Sequence, residues 1–242
     1  MPIWQAALLL PRKPNPVCYN LGTMPIETLI FDLDETIYPS STGLWNMIGD
    51  RIFLFIQQRL GLESDVIRSL QYQYFHTYGT TLRGLEINHG IDARAYLDYV
   101  HDIPVEEILK PDPQLRQVLE SYPQRKVIFT NANKKHTRRV LEQVGIADLF
   151  SGIVDILDIS PHCKPQPEAF QIALELFGGL DPATCLFIDD SMRNIQTAAN
   201  LGLFVVYINE NRQPSLLYPS IRYLKELPLV LSTNGELHST VE

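Results

Sequence analysis

Two aspartates separated by a single residue, Asp32 and Asp34, follow a short apolar run in Phe31-Asp32-Leu33-Asp34-Glu35-Thr36. If both face one crevice from an extended backbone, one can attack while the other exchanges a proton with the leaving oxygen, which is a two-step hydrolysis. The plainer role of such a pair is to end a strand as turn formers. Thr130 and Asn131 follow another apolar run in Phe129-Thr130-Asn131-Ala132-Asn133, ahead of a helix expected from about Lys135. A hydroxyl and free amides at a helix start form an anion cradle, or simply cap the helix. Lys164, in Ser160-Pro161-His162-Cys163-Lys164-Pro165, can neutralise a phosphoryl group and hold an attacking carboxylate ionised, although most loop lysines are merely solvated. Pro165 is expected near the start of the next helix. Asp189 and Asp190, ahead of Ser191, are either a helix cap or an oxygen pair of the kind Mg²⁺ prefers. Each feature is ordinary alone. Together, at four successive run ends, they supply nucleophile, phosphate donor, cation and metal ligands, the parts phosphoryl transfer needs.

The elements that must position these residues are legible from hydrophobic patterning. Apolar, β-branched runs at 28–31, 126–129, 153–157, 185–188 and 204–208 alternate with stretches of helical spacing. Continuous rather than alternating hydrophobicity implies burial on both faces, hence a parallel sheet covered by helices on either side. The expected core is α/β and doubly wound, residues 26–39 and 113–210, with ligands gathering at the carboxyl ends of the strands. Residues 40–112 read differently. Leu44, Ile48, Ile52, Phe55 and Ile56 recur at helical intervals, as do Val66, Leu70 and Tyr74, and Asp92 is placed to cap a helix carrying Tyr96, Leu97 and Val100. A small helical domain inserted after the first strand is expected, leaving through Lys110, Pro111, Asp112 and Pro113. Residues 1–25, with five prolines, read as a tail in which Met24 offers a second start. Residues 211–242 read as an extension with a helix around 215–224 and a disordered end.

A chain of 242 residues with 45% hydrophobic content can bury a substantial interior. Its net charge of −8, from 20 basic and 28 acidic residues, gives no electrostatic reason to bind nucleic acid or an anionic membrane. No run approaches the roughly 20 apolar residues of a membrane span, and 3–10 is too short and wrongly flanked for a targeting segment. Three widely spaced cysteines, Cys18, Cys163 and Cys185, suggest neither a disulfide framework nor a zinc site, so a reducing cytoplasm is the expected setting. The sequence is silent on oligomeric state.

The ordered set Asp32, Asp34 and Thr36, then Thr130, Lys164 and Asp189-Asp190 resembles the haloacid dehalogenase superfamily in its phosphatase branch, from about Ile26 to Asn209. The resemblance implies Asp32 as nucleophile and Asp34 as general acid and base. It also implies Mg²⁺ held by the Asp32 carboxylate, the Asp34 carbonyl and the acidic pair, with Asp190 direct and Asp189 acting through water. Thr130, Asn131 and Lys164 would meet the phosphoryl group, and the insert would be a cap that selects the organic part of a small phosphoester. Dehalogenases lack the second acid, and transport ATPases place a lysine where Leu33 stands. The segment 78–85, with Tyr78 and Arg83, and the segment 34–39 resemble the pyrimidine 5′-nucleotidase-like subgroup. That points to nucleoside monophosphates such as UMP or CMP, with Tyr78 stacking on a base and Arg83 meeting an anion. A sugar-phosphate or phosphoglycolate phosphatase, or a binding protein without catalysis, are the alternatives.

Overall fold

Strand β1 (Thr28–Phe31) lies inside a parallel sheet, between β2 (Arg125–Phe129) and β4 (Cys185–Asp189). The computed structural model describes residues 26–210 and 217–237, so the expected tail, Cys18, Met24 and the extreme C-terminus lie outside the described residues. Beyond β2 comes β3 (Gly152–Val154), and beyond β4 come β5 (Phe204–Ile208) and β6 (Ser220–Ile221), giving the order β3-β2-β1-β4-β5-β6. The chain therefore winds outward from β1 in both directions, and the reversal leaves a crevice at the carboxyl ends of β1, β2 and β4.

Both sheet faces are buried, as continuous hydrophobicity requires. Leu29, Phe31, Ile128, Leu186, Ile188 and Val206 point to one side, where α6 (Pro113–Glu120) and α7 (Lys134–Val144) bring Leu115, Leu119, Val140 and Leu141. Ile30, Val127, Phe129, Phe187 and Val205 point to the other, against Phe170 and Ala173 of α8 (Pro167–Leu176) and Ile195 and Ala198 of α9 (Met192–Asn200).

Between β1 and α6 stand five helices: α1 (Leu44–Leu60), α2 (Ser64–Tyr78), α3 (Thr81–His89), α4 (Ala93–Val100) and the single turn α5 (Val105–Ile108). Phe55, Ile56, Ile67, Tyr74, Leu82, Tyr96 and Leu97 form a cluster of their own, closed by Ile156 and Cys163 from the loop after β3. Asp92 caps α4 by accepting from the Ala95 amide at 2.8 Å. The buried stripe of α2 runs through Ile67 and Tyr74, whereas Val66, expected on that stripe, is exposed. Helices α2 and α3 approach so closely that a Cβ at Gly84 would lie 2.1 Å from Tyr74 Cγ. The substitution Gly84→Ala is expected to lower stability by about 1–3 kcal/mol through overpacking, read as an earlier thermal transition by circular dichroism.

Three expectations are corrected. The third strand stops at Val154 instead of running to 157, because Asp155 Oδ1 accepts from the amides of Leu157 and Asp158 and folds the chain into a turn. The described part of the expected 215–224 helix is instead a turn leading into β6. There Tyr207 donates to the Pro219 carbonyl and Asn209 to the Ile221 carbonyl, so pairing with the open edge of β5 overrides helical spacing. The third is the exposure of Val66; helix α8 begins at Pro167, two residues after Pro165, as expected. No helix among the described residues is long and apolar enough to cross a membrane.

Candidate active site

Register brings the acidic residues together. Phe31 pairs with Ile128 on one side and Ile188 on the other, so the next residue, Asp32, emerges level with Phe129 and Asp189. The Asp32 amide donates to the Ile188 carbonyl at 2.9 Å, carrying the extended backbone one residue past the strand. Leu33 then turns fully into the core, while Asp32 and Asp34 line one cavity of about 490 Å³. The chain closes behind them as Thr36 and Ile37 donate to the Leu33 carbonyl and Glu35 takes a left-handed backbone (φ 58°), uncommon for a non-glycine residue.

Lys164 is the electrostatic centre. It is 1% exposed, with Nζ 2.7 Å from Asp32 Oδ1 and 2.8 Å from Asp189 Oδ2. Burial works to lower its pKa, but Asp189 and Asp32 more than offset this and hold it above the ordinary lysine value. Asn131 grips the backbone of Lys164, its Nδ2 donating to the Lys164 carbonyl at 3.0 Å and its Oδ1 accepting from the Lys164 amide at 2.9 Å. The Asn131 side chain is thus occupied in positioning the lysine. Thr130 is buried beside it, its Oγ1 accepting from the Ala132 amide at 2.9 Å, which leaves the hydroxyl proton available to an anion.

Asp189 is fully buried and richly bonded: Oδ1 accepts from the Ser191 amide and Asn194 Nδ2, and Oδ2 from Lys164 Nζ and Asn194 Nδ2. Asp190 is only partly buried and lines the cavity. Carboxylate oxygens of Asp32, Asp189 and Asp190 lie within 4.8 Å of one another, a crowding of negative charge in low dielectric. Burial, with Asp189 and Asp32 adding to it, lifts the pKa of Asp190 to about 9. Burial likewise raises Asp32, against the pull of Lys164, to about 7. Asp34 moves the other way. Burial would raise it, but His136 and the hydrogen bonds from His136 and Tyr38 outweigh that and leave it below the usual carboxylate value.

Of the nine residues expected from sequence, seven converge: Asp32, Asp34, Thr130, Asn131, Lys164 and Asp190 line the cavity, and Asp189 underlies it. Tyr78 and Arg83 do not join them. Tyr78 packs edge-on against Tyr74 at 5.6 Å. The Arg83 guanidinium is buried, paired with Glu86 and donating to the carbonyls of Ile156 and His162 at 2.8 Å each, so it ties α3 to the loop after β3. Sequence reasoning missed Asn194, Tyr38 and His136, which bond the acids from adjacent elements. It also missed the cavity wall of Trp45, Ile48, Ile52, Phe75, Tyr96, Leu97 and Arg193. Only the spacing Asp34 to Tyr38, one helical turn, was a usable local signal.

The chain belongs to the haloacid dehalogenase-like hydrolase family, whose model matches residues 26–202. It is 32% identical over 203 residues to phosphate metabolism protein 8 of Saccharomyces cerevisiae, covering 77% of this chain and 63% of that protein. It is 38% identical over 80 residues to a phosphoglycolate phosphatase of Neisseria gonorrhoeae, a third of each chain. The chain thus spans less than two thirds of the length of either relative. Among solved structures it resembles a HAD phosphatase from Thermococcus onnurineus, with a TM-score of 0.57 and 22% identity over 88% of this chain and 100% of that one, a likeness of fold.

Proposed function

We propose that the protein is a magnesium-dependent phosphatase of small phosphomonoesters in which Asp32 attacks phosphorus and Asp34 serves as acid and then base. One observation carries the reading: Lys164 Nζ bridges Asp32 and Asp189 at 2.7 and 2.8 Å, while Asp34 lines the same cavity as Asp32. The lysine favours the ionised form of Asp32 and offers charge to the phosphoryl oxygens, Thr130 offers a hydroxyl, and Asp34 is free of the lysine and held by neutral and imidazole donors. The dehalogenase alternative has no use for this second carboxyl group.

The donors fit a hard divalent cation, since they are all oxygen, and burial together with their crowding already raises the pKa of Asp190. The Asp32 and Asp190 carboxylates, with the Asp34 carbonyl, would hold Mg²⁺, while the four hydrogen bonds on Asp189 favour its acting at one remove. Bound there, the ion would offset negative charge on the phosphoryl group and on Asp32. Asp190→Asn is expected to raise the Mg²⁺ concentration for half-maximal activity by about tenfold or more, as read by titration of activity with the metal, while thermal stability holds or rises.

The helical insert would act as a cap, closing the cavity with apolar and aromatic side chains. Trp45, 42% exposed, together with Phe75 and Tyr96, suits a flat ring better than a bare carboxylate. This favours the pyrimidine nucleoside monophosphates of the resemblance, UMP or CMP, over phosphoglycolate, though with contacts from these residues in place of Tyr78 and Arg83. The buried free thiols of Cys163 and Cys185 accord with a cytoplasmic setting. Phosphate release across nucleotides, sugar phosphates and phosphoglycolate tests the reading. Preference for UMP or CMP supports it; preference for phosphoglycolate keeps the chemistry and overturns the substrate; no release from any, with Mg²⁺ present, overturns the enzyme.

A further inference from the structure

Two side chains hold one oxygen of Asp34. The Tyr38 hydroxyl donates to Oδ1 at 2.6 Å, and His136 Nε2 lies 3.1 Å from the same atom. Oδ1 only accepts, whether Asp34 is ionised or carries its proton on Oδ2, so Nε2 must be the protonated nitrogen of the ring. The other ring nitrogen, Nδ1, is buried without a partner among the described residues. His136 is 0% exposed, and among the described residues the contact with Asp34 is the one hydrogen bond its ring makes. A buried nitrogen left unpartnered costs desolvation energy that an apolar ring of the same shape would avoid, so the N–H toward Asp34 is the feature that accounts for histidine at this position.

The ring is fixed from its face. The imidazole of His101 lies parallel to it, 8° apart in plane and 4.3 Å between centroids. His101 follows α4 in the insert, and Arg139, three residues after His136, donates to the carbonyls of His101 at 3.0 Å and Ile103 at 2.9 Å. One face of α7 therefore both reaches Asp34 and grips the return of the insert.

We propose that His136 and Tyr38 are positioning residues that fix the rotation of the Asp34 carboxyl group, making Oδ1 the acceptor and Oδ2 the oxygen that gives and takes the proton, with His101 clamping His136 in place. The inference rests on the reading of Asp34 as acid and base. In the first step the Asp32–phosphorus bond forms as the phosphorus–oxygen bond to the alcohol breaks, and the proton on Asp34 Oδ2 passes to the departing alkoxide. In the second, water gives a proton to Oδ2 as its oxygen bonds to phosphorus and the Asp32–phosphorus bond breaks. A carboxyl group free to rotate would present the wrong oxygen, or none, at the leaving group.

The distinguishing readout is leaving-group dependence. An alkoxide needs the proton, whereas 4-nitrophenoxide departs with little help. His136→Phe keeps a ring against His101 but no donor, His136→Gln restores an N–H, and Tyr38→Phe removes the other donor. For His136→Phe, kcat/KM on an alkyl phosphate such as a nucleoside monophosphate is expected to fall about 10–100-fold further than on 4-nitrophenyl phosphate, with His136→Gln recovering most of the difference. Tyr38→Phe should shift the same ratio in the same direction, and it decides the matter if His136→Phe fails to fold. Equal losses on both esters, or none, would overturn the inference. Asp34→Asn run in parallel separates the two levels. If it too shows no leaving-group dependence, the acid and base reading fails and takes the inference with it; if it alone is selective, only the roles of His136 and Tyr38 fall.

Discussion

Asp32→Asn is expected to lower turnover of every phosphoester substrate by at least about 10³-fold, because the amide is a poor nucleophile and cannot form the acyl phosphate. The protein should nevertheless fold. Asparagine keeps an oxygen acceptor where Lys164 Nζ now meets Asp32 Oδ1 at 2.7 Å, and the lysine retains Asp189. Stability near neutral pH should hold or rise. The folded state lifts the pKa of Asp32 from 3.8 to about 7, so between those values it binds more protons at this site than the unfolded chain. Stability from this group therefore falls as pH rises through that window, and a neutral amide removes the dependence. Phosphate release and a pH series of thermal unfolding check the two halves.

Lys164→Met should be damaging in both respects. Lys164 is 1% exposed between two carboxylates, and its removal leaves Asp32, Asp189 and Asp190 crowded in the interior without their cation. Breaking a buried pair in this way costs about 3–5 kcal/mol, to be measured by denaturant unfolding. Turnover should fall too, by about 10²-fold or more, because the phosphoryl oxygens lose their fixed positive partner. The contrast with Asp32→Asn is diagnostic, since one change removes a charge the interior disfavours and the other removes the charge that balances its neighbours.

The parts of this architecture that were readable in sequence share a physical origin. Burial on both faces makes β1, β2, β4 and β5 continuous apolar runs, and a parallel doubly wound sheet places the residues after them in one crevice. What escaped depends on contacts between distant segments. The third strand ends early through three backbone amides converging on Asp155, from Lys134, Leu157 and Asp158, the first of them at the start of α7. The β6 strand exists because β5 offers an open edge. His136 and Asp34 are 102 residues apart, and a histidine on the buried face of α7 has no local pattern that marks it as a partner for a carboxylate. Arg83 shows the converse error, because a charged residue in a segment expected to face substrate instead satisfies the loop carbonyls of Ile156 and His162.

The central claim, a covalent phosphoryl group on Asp32, is most directly tested in the Asp34→Asn protein with 4-nitrophenyl phosphate and Mg²⁺. This ester needs little help from an acid to release its alcohol, but the second step lacks its base, so the intermediate should accumulate. The account predicts a burst of about one nitrophenol per protein, with one phosphoryl group on the peptide containing Asp32 after acid quenching and mass analysis. Steady release of nitrophenol without protein phosphorylation, or a phosphoryl group carried by any other residue, would contradict it.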